Sequence, residues 1–180
     1  LDWIQAHLQC TFLDKAMPIV TLFGDGGVFW ILVAVTLLFF AKYRKTGFSM
    51  GMALILGLLV CNIFLKPQVA RIRPYNFQLQ EYGREITLLV KGLNDYSFPS
   101  GHTIASFEAC TVLMLHDKRL GIPATVLAIL IAFSRLYLYV HYPTDVLVSV
   151  VLGILFGILG NLIVNAVYKK FVYKGKDRKS

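Results

Sequence analysis

"VLVSVVLGILFGILGNLIVNAVY", residues 146–168, runs for 23 positions without a charged side chain. As a helix it measures about 35 Å, enough to cross a hydrocarbon core of about 30 Å. This run decides the fold: the chain is an integral membrane protein. Working outward, the same pattern recurs. Leu120 to Val140 is charge-free except for Arg135 near its end, and Gly47 to Leu65 carries no charge at all. Met17 to Ala41 is broken only by Asp25, in "LFGDGGVFW", and Ser100 to His116 is shorter and carries Glu108. With 57% apolar and 16% charged residues and a mean hydropathy of +0.65, the chain is too apolar for an ordinary soluble domain. The expected fold is an all-α membrane protein, a bundle of about five to six transmembrane helices in a single domain over residues 1–180. The spans are placed at about 17–41, 47–65, 100–116, 120–140 and 143–168, with an outer loop at 66–99 capping one end.

Residues 1–16 place Trp3, Ile4, Leu8, Phe12 and Leu13 near one helical face. A short amphipathic helix of this kind either lies in the membrane interface or docks on the bundle. No basic region precedes an apolar run at the start, so no cleavable signal sequence is expected. The three cysteines, Cys10, Cys61 and Cys110, are odd in number, sit among apolar residues and show no metal-ligand spacing; packing is their expected role. "GILFGILG", residues 153–160, reads as a close-packing helix face because small residues recur four apart.

The net charge of +8 could point to nucleic acid, but its placement argues against that. Lys42, Arg44 and Lys45 follow the first span, Lys118 and Arg119 the third, and Lys169, Lys170, Lys174, Lys176, Arg178 and Lys179 the fifth. Alternating spans put all three groups on one side, which the positive-inside rule makes cytoplasmic. The tail is then a topology signal with some attraction to anionic lipid. On the other face remain Lys15, Lys66, Arg71, Arg73, Arg84, Lys91 and Arg135, together with His102 and His141. The same rule disfavours cations there, so an anionic ligand at the outer surface is the expected reason for them.

Three clusters sit on that face. "KPQVARIRP", residues 66–74, places Lys66 and Arg73 at the mouth of the second span; alone it is a snorkelling lysine and a loop arginine. "PSGH", residues 99–102, can open a helix whose first N–H groups and positive dipole end attract an anion, and it also reads as plain helix initiation. "SRLYLYVHYPTD", residues 134–145, sets His141 and Asp145 four apart across a helix start at Pro143. Asp145 can hold one ring nitrogen of His141 and leave the other free, or it can simply cap the helix.

In that order the clusters read Lys-x6-Arg-Pro, Pro-Ser-Gly-His and Ser-Arg-x5-His-x3-Asp, and the chain resembles an integral-membrane member of the type 2 phosphatidic acid phosphatase family. The signature covers residues 66–145, with Lys66, Arg73, Pro74, Pro99, Ser100, Gly101, His102, Ser134, Arg135, His141 and Asp145 all matching. One departure is Tyr139, where members often carry a small residue. The resemblance implies a phosphatase that uses no metal or other cofactor. His141 would attack phosphorus, Asp145 would hold it, and His102 would protonate the leaving oxygen. Lys66, Arg73, Ser100, Gly101 and Arg135 would bind the phosphate. The implied partner is a membrane lipid with a phosphate or diphosphate head group, with undecaprenyl diphosphate, phosphatidic acid and phosphatidylglycerol phosphate as candidates, and no nucleic acid. The implied place is the cell membrane, multi-pass, with the site on the extracytoplasmic face and the C-terminus in the cytoplasm. Oligomeric state is left open.

Two other classes compete. A non-catalytic protein binding anionic lipid would tolerate a degraded motif, and this motif is intact. A transporter would show inverted repeats, and none is detected. Glu108 reads either as a packing acid or as a lining of the substrate cavity. The aromatic residues Tyr75, Phe77, Tyr82 and Tyr96 suit either a cap over the site or an interfacial belt.

Overall fold

The computed structural model describes the backbone of residues 1–177 and the side chains of residues 1–170. The described residues are helical almost throughout, without strands. Helix α1 spans Asp2–Leu8 and α2 spans Thr11–Leu22. A single tight turn at Asp25–Gly27 interrupts the first long apolar run, and α3 continues as Val28–Phe39. Gly26 and Gly27 make the break, with φ of 55° and 68°, a region open to glycine and costly for other residues. Helix α4, Arg44–Gly57, passes into a wider π-helical segment at Leu58–Leu65 and ends in the short α5, Lys66–Val69. Pro74 opens α6, Pro74–Tyr82, and Gly83 ends it in the left-handed conformation. An extended segment then leads to α7, Gly101–His116, followed by α8, Lys118–Tyr137, and α9, Pro143–Asp177.

Four stretches are long and apolar enough to cross a membrane: Thr11–Phe39, Arg44–Tyr82, Lys118–Tyr137 and Pro143–Lys170. The expected span at 100–116 is the exception. With 16 residues, α7 is only about 24 Å long and carries polar side chains. It is the central helix, packed by α4, α8 and α9, and nine of its 16 residues are buried. Enclosed by protein, it needs no apolar outer surface. The other helices present large apolar side chains outward, among them Phe39, Ile55, Phe64 and Leu147, as a bundle solvated by lipid requires.

The glycines of α9 set the packing. A Cβ on Gly153 would stand 2.7 Å from Phe107 Cβ, one on Gly157 2.7 Å from Thr111 Cβ, and one on Gly160 2.7 Å from the Ala53 nitrogen. Gly153 and Gly157 therefore press α9 onto α7, and Gly160 presses it onto α4. In lipid, where apolar burial gives no drive between helices, such close approach provides the dispersion that holds them together.

The first span begins earlier than residue 17. Helix α2 starts at Thr11, so the amphipathic segment does not close before the span but runs into it. The α1 helix docks on the bundle: Ile4, Leu8 and Leu13 pack on a cluster of Met17, Tyr137, Leu138 and Val140. Tyr137 Oη donates to Asp14 at 2.6 Å and Tyr139 Oη to Asp2 at 2.7 Å. Cys61 and Cys110 are buried as expected, whereas Cys10, in the turn between α1 and α2, is exposed.

The basic groups converge at one end. Tyr43 Oη donates to Asp117 at 3.1 Å, joining the turns that carry Lys42 and Lys118, and Lys45 Nζ lies 5.9 Å from the Tyr168 ring, beside Lys169. Lys174, Lys176, Arg178 and Lys179 lie outside the described side chains. Lys66, the start of α7, the end of α8 and the start of α9 come together at the opposite end.

Candidate active site

Four chain turns meet at that end around a cavity of about 390 Å³. Lys66, Arg73, Gly101, His102, Arg135 and His141 line its polar part, and Ile31, Leu54, Leu58 and Ile104 line an apolar part between the helices. Residues far apart in sequence arrive here for local reasons. Lys66 ends the π-helical segment. Arg73 is held extended ahead of Pro74, which disfavours helix at the preceding residue. Gly101 and His102 form the first turn of α7, where backbone N–H groups have no intrahelical acceptor. His141 lies in the short connection between Tyr137 and Pro143.

His141 is buried, and its two nitrogens have different neighbours. Nε2 lies 3.3 Å from Arg73 Nη1, and Nδ1 lies 3.6 Å from Asp145 Oδ2 and 3.5 Å from Ser97 Oγ. A guanidinium can only donate, so Nε2 is the unprotonated nitrogen and Nδ1 carries the proton toward Asp145. Burial pushes His141 well below the usual imidazole range, against the upward pull of Asp145, so the ring is neutral near pH 7. An unprotonated Nε2 beside a cavity has a lone pair available to an electrophile placed there. Asp145 is fully buried and fixed on three sides: Ser97 Oγ donates to it at 2.5 Å, the Tyr142 N–H at 3.0 Å and Arg71 Nη1 at 2.6 Å. Arg71 also stacks on Tyr142, 3.9 Å from its ring centroid.

The cations are held separately. Arg73, 2% exposed, donates to the carbonyls of Val140 at 2.8 Å and Asp95 at 2.9 Å. Its Nη2 and Lys66 Nζ each lie 2.5 Å from the Asp95 carboxylate. Burial raises the Asp95 carboxyl, and the hydrogen bonds from Lys66 and Arg73 outweigh it, leaving the group at about 2. Arg135 is buried and donates to Thr21 Oγ1, while its Nε has no partner among the described residues. His102 packs against the Asp25–Gly27 turn. A Cβ on Gly24 would meet its Cδ2 at 2.8 Å, and Asp25 Oδ1 stands 3.9 Å from its Nε2.

Two sequence-predicted residues sit behind the wall rather than on it. Ser100 caps α7: its hydroxyl takes the Thr103 hydroxyl at 3.0 Å, and its own N–H goes to Ser149 at 2.8 Å, so that N–H is not free for an anion. Asp145 reaches the cavity only through His141. Glu108 is both buried and part of the cavity wall, resting against Gly57 at the deep end with Oε1 unpartnered among the described residues. Asp25, Arg71, Asp95 and Ser97 escape the motif spacing. The signal for Asp25 was its place as the lone acid in an apolar run; Asp95, in a polar loop, carried none.

A helical membrane bundle with a cation-lined, two-histidine cavity defines the class. Comparison with known proteins defines the family. The PAP2 superfamily model matches residues 46–169. An undecaprenyl-diphosphatase of Sulfolobus acidocaldarius is 34% identical over 146 residues, 81% of this chain and 68% of that protein. The undecaprenyl-diphosphatase BcrC of Bacillus subtilis is 29% identical over 147 residues, 82% and 72% of the two chains. Among solved structures, Aquifex aeolicus LpxE superimposes with a TM-score of 0.72 at 28% identity, covering 84% of this chain and 87% of that one. A transmembrane PAP2-type phosphatidylglycerolphosphate phosphatase from Bacillus subtilis gives 0.67 at 27%, covering 90% and 79%. The chain belongs to the PAP2 superfamily and is one of its membrane lipid phosphatases.

Proposed function

We propose that this chain hydrolyses a membrane lipid phosphate or diphosphate through a phosphohistidine at His141. The observation that carries this reading is the placement of Nε2 on the cavity wall, 3.3 Å from Arg73, with Nδ1 backed by Asp145. The Nε2 lone pair forms a bond to phosphorus as the bond to the lipid oxygen breaks. Burial and the neighbouring cations push His102 below the usual imidazole range in the empty site; a bound phosphate offsets those cations, and the protonated His102 then gives that oxygen its proton as the lipid product leaves. Water then attacks phosphorus, His102 takes the water's proton, and the phosphorus–nitrogen bond breaks to release inorganic phosphate. Lys66, Arg73 and Arg135 balance the charge on the equatorial oxygens, with the first-turn N–H groups of α7 beside them. Three fixed cations supply this charge, so the reading calls for no metal.

Of the three candidate substrates, undecaprenyl diphosphate is favoured, because two of the similar proteins carry that activity in their names. The cavity's apolar part suits the hydrocarbon of any of the three. We place the site on the extracytoplasmic face of the cell membrane, because the described basic clusters gather at the other end. The reading is tested by rapid alkaline quenching with ³²P-labelled substrate. Label should appear on His141 in the wild type and vanish in His141→Ala, together with phosphate release. Label on a serine or aspartate would overturn the mechanism.

A further inference from the structure

The carboxylate of Asp95 meets Lys66 and Arg73 as two phosphate oxygens would, one oxygen on each cation at 2.5 Å. It lines the same cavity as His141, yet its side chain is half exposed, at 51%. The chain on either side is tied down. Tyr75 Oη bonds both the carbonyl and the N–H of Leu93, and Ser97 bonds the Arg71 carbonyl through its N–H and Asp145 through its hydroxyl. Asn94 and Tyr96 are exposed, so Asp95 rides on a short bridge between two anchors and can swing outward without disturbing them. Arg73 would stay in place, because the Val140 carbonyl holds it independently of Asp95.

We propose that Asp95 is a charge filter: its carboxylate competes for Lys66 and Arg73, so that doubly charged terminal phosphates displace it and singly charged phosphodiester head groups do not. The chemistry is one of exchange. A phosphodiester carries one negative charge, as a carboxylate does, and gains nothing electrostatically by replacing it. A phosphomonoester or terminal diphosphate group carries about 1.5 to 2 negative charges near pH 7 and gains on both cations. The need is built into the setting. The cavity lies among membrane helices, where phosphodiester lipids far outnumber any lipid monoester, and an unfiltered pair of cations would be blocked by them. Asp95 remains ionised throughout the working range, because its two cations hold its carboxyl at about 2.

The proposal rests on the phosphatase reading, and the test separates the two. The full chain in detergent is prepared as wild type, Asp95→Asn and Asp95→Glu, each also in a His141→Ala background. Binding of orthovanadate, at a pH alkaline enough for its dianion to dominate, and of dioctanoyl phosphatidylglycerol, a phosphodiester, is measured calorimetrically in that background, where no turnover occurs. If Asp95 engages the cations about nine-tenths of the time, a ligand that must displace it loses about tenfold in apparent affinity, which leaves a strongly held doubly charged group bound and takes a weakly held phosphodiester below detection. Asp95→Asn should therefore bind vanadate about tenfold more tightly and acquire measurable phosphatidylglycerol binding. In the active background it should become inhibited by that lipid while the wild type is not. Asp95→Glu should restore discrimination. Weaker or unchanged vanadate binding in Asp95→Asn would overturn the proposal and leave Asp95 as a brace for the two cations. A wild type that releases no phosphate from any lipid would overturn the phosphatase reading instead, whatever the binding results.

Discussion

Replacing His102 by alanine separates catalysis by proton donation from mere phosphate binding. General acid catalysis typically contributes about 100- to 10,000-fold, or roughly 3 to 5 kcal/mol of barrier. It contributes that only when the leaving oxygen is strongly basic. A lipid alkoxide leaving a monoester needs the proton, whereas a lipid monophosphate leaving a diphosphate, or an acidic phenol leaving an aryl phosphate, departs almost unaided. His102→Ala should therefore reduce kcat for monoesters within that range and for good leaving groups much less. The structure adds a second, smaller perturbation. Asp25 Oδ1 stands 3.9 Å from His102 Nε2 on a 75% exposed side chain. Once His102 carries its proton, a unit pair at that distance in a water-like dielectric is worth about 1 kcal/mol. Asp25→Asn should then cost about fivefold, with the same dependence on leaving group, and Asp25→Glu should recover most of it. The assay is kcat across a series of leaving groups of graded pKa, since KM also reports any ground-state binding by His102. Equal losses for good and poor leaving groups would refute the assignment and make His102 a binding residue.

Gly157→Val should destabilise the bundle by about 1 to 3 kcal/mol, read as a lower thermal midpoint in detergent, because its Cβ would meet Thr111 Cβ at 2.7 Å. Gly51→Ala, with nothing within 4 Å, should be neutral or slightly stabilising in the same measurement. Activity should survive excess EDTA and be inhibited by vanadate, whose five-coordinate form mimics the phosphorus under attack; a requirement for added magnesium would contradict the cation cradle. In a cysteine-free background, cysteines placed at Lys45 and Lys118 should be shielded from a membrane-impermeant thiol reagent in intact cells, and one at Gln80 should react. The reverse pattern would move the site to the cytoplasm.

How much of this was legible in the sequence differs between the fold and the site, for physical reasons. Lipid-facing helices announce themselves because every outward position must be apolar, so the run at 47–65 falls on α4 and the π-helical segment and that at 120–140 on α8, each to within a few residues, while α9 opens at Pro143 as expected and continues to Asp177. The helix at 100–116 was legible too, since α7 is Gly101–His116; what the sequence did not show is its central place, where protein surrounds it and its composition is free to include Ser106 and Glu108. The start of the first span shifted from 17 to Thr11 because Asp14 and Lys15, read as the end of an interfacial segment, are tolerated in α2, where Tyr137 donates to Asp14. In the site, Lys66, Arg73, His102, Arg135 and His141 were legible because the resemblance carried by the three clusters names them together, and all five line one cavity. Their partners were not.

Ser97 and Arg71 act on Asp145, and Asp95 on Lys66 and Arg73, across separations in sequence of 22 to 74 residues, and no local pattern encodes such pairings. Tyr139 shows the consequence. As a sequence feature it was only a departure near the histidine. In the structure it is buried at φ 60°, two residues before His141, with its hydroxyl on Asp2. Tyr137, four residues before His141, is bound to Asp14. The N-terminal helices thus brace the connection that carries His141, and Tyr139 occupies a place where a small residue could reach neither Asp2 nor this packing. The Tyr139 side chain therefore points away from the cavity, toward α1. The first 14 residues of the chain thus hold Tyr137 to Val140, the stretch that leads into His141, through Asp2, Asp14 and the packing of Ile4, Leu8 and Leu13.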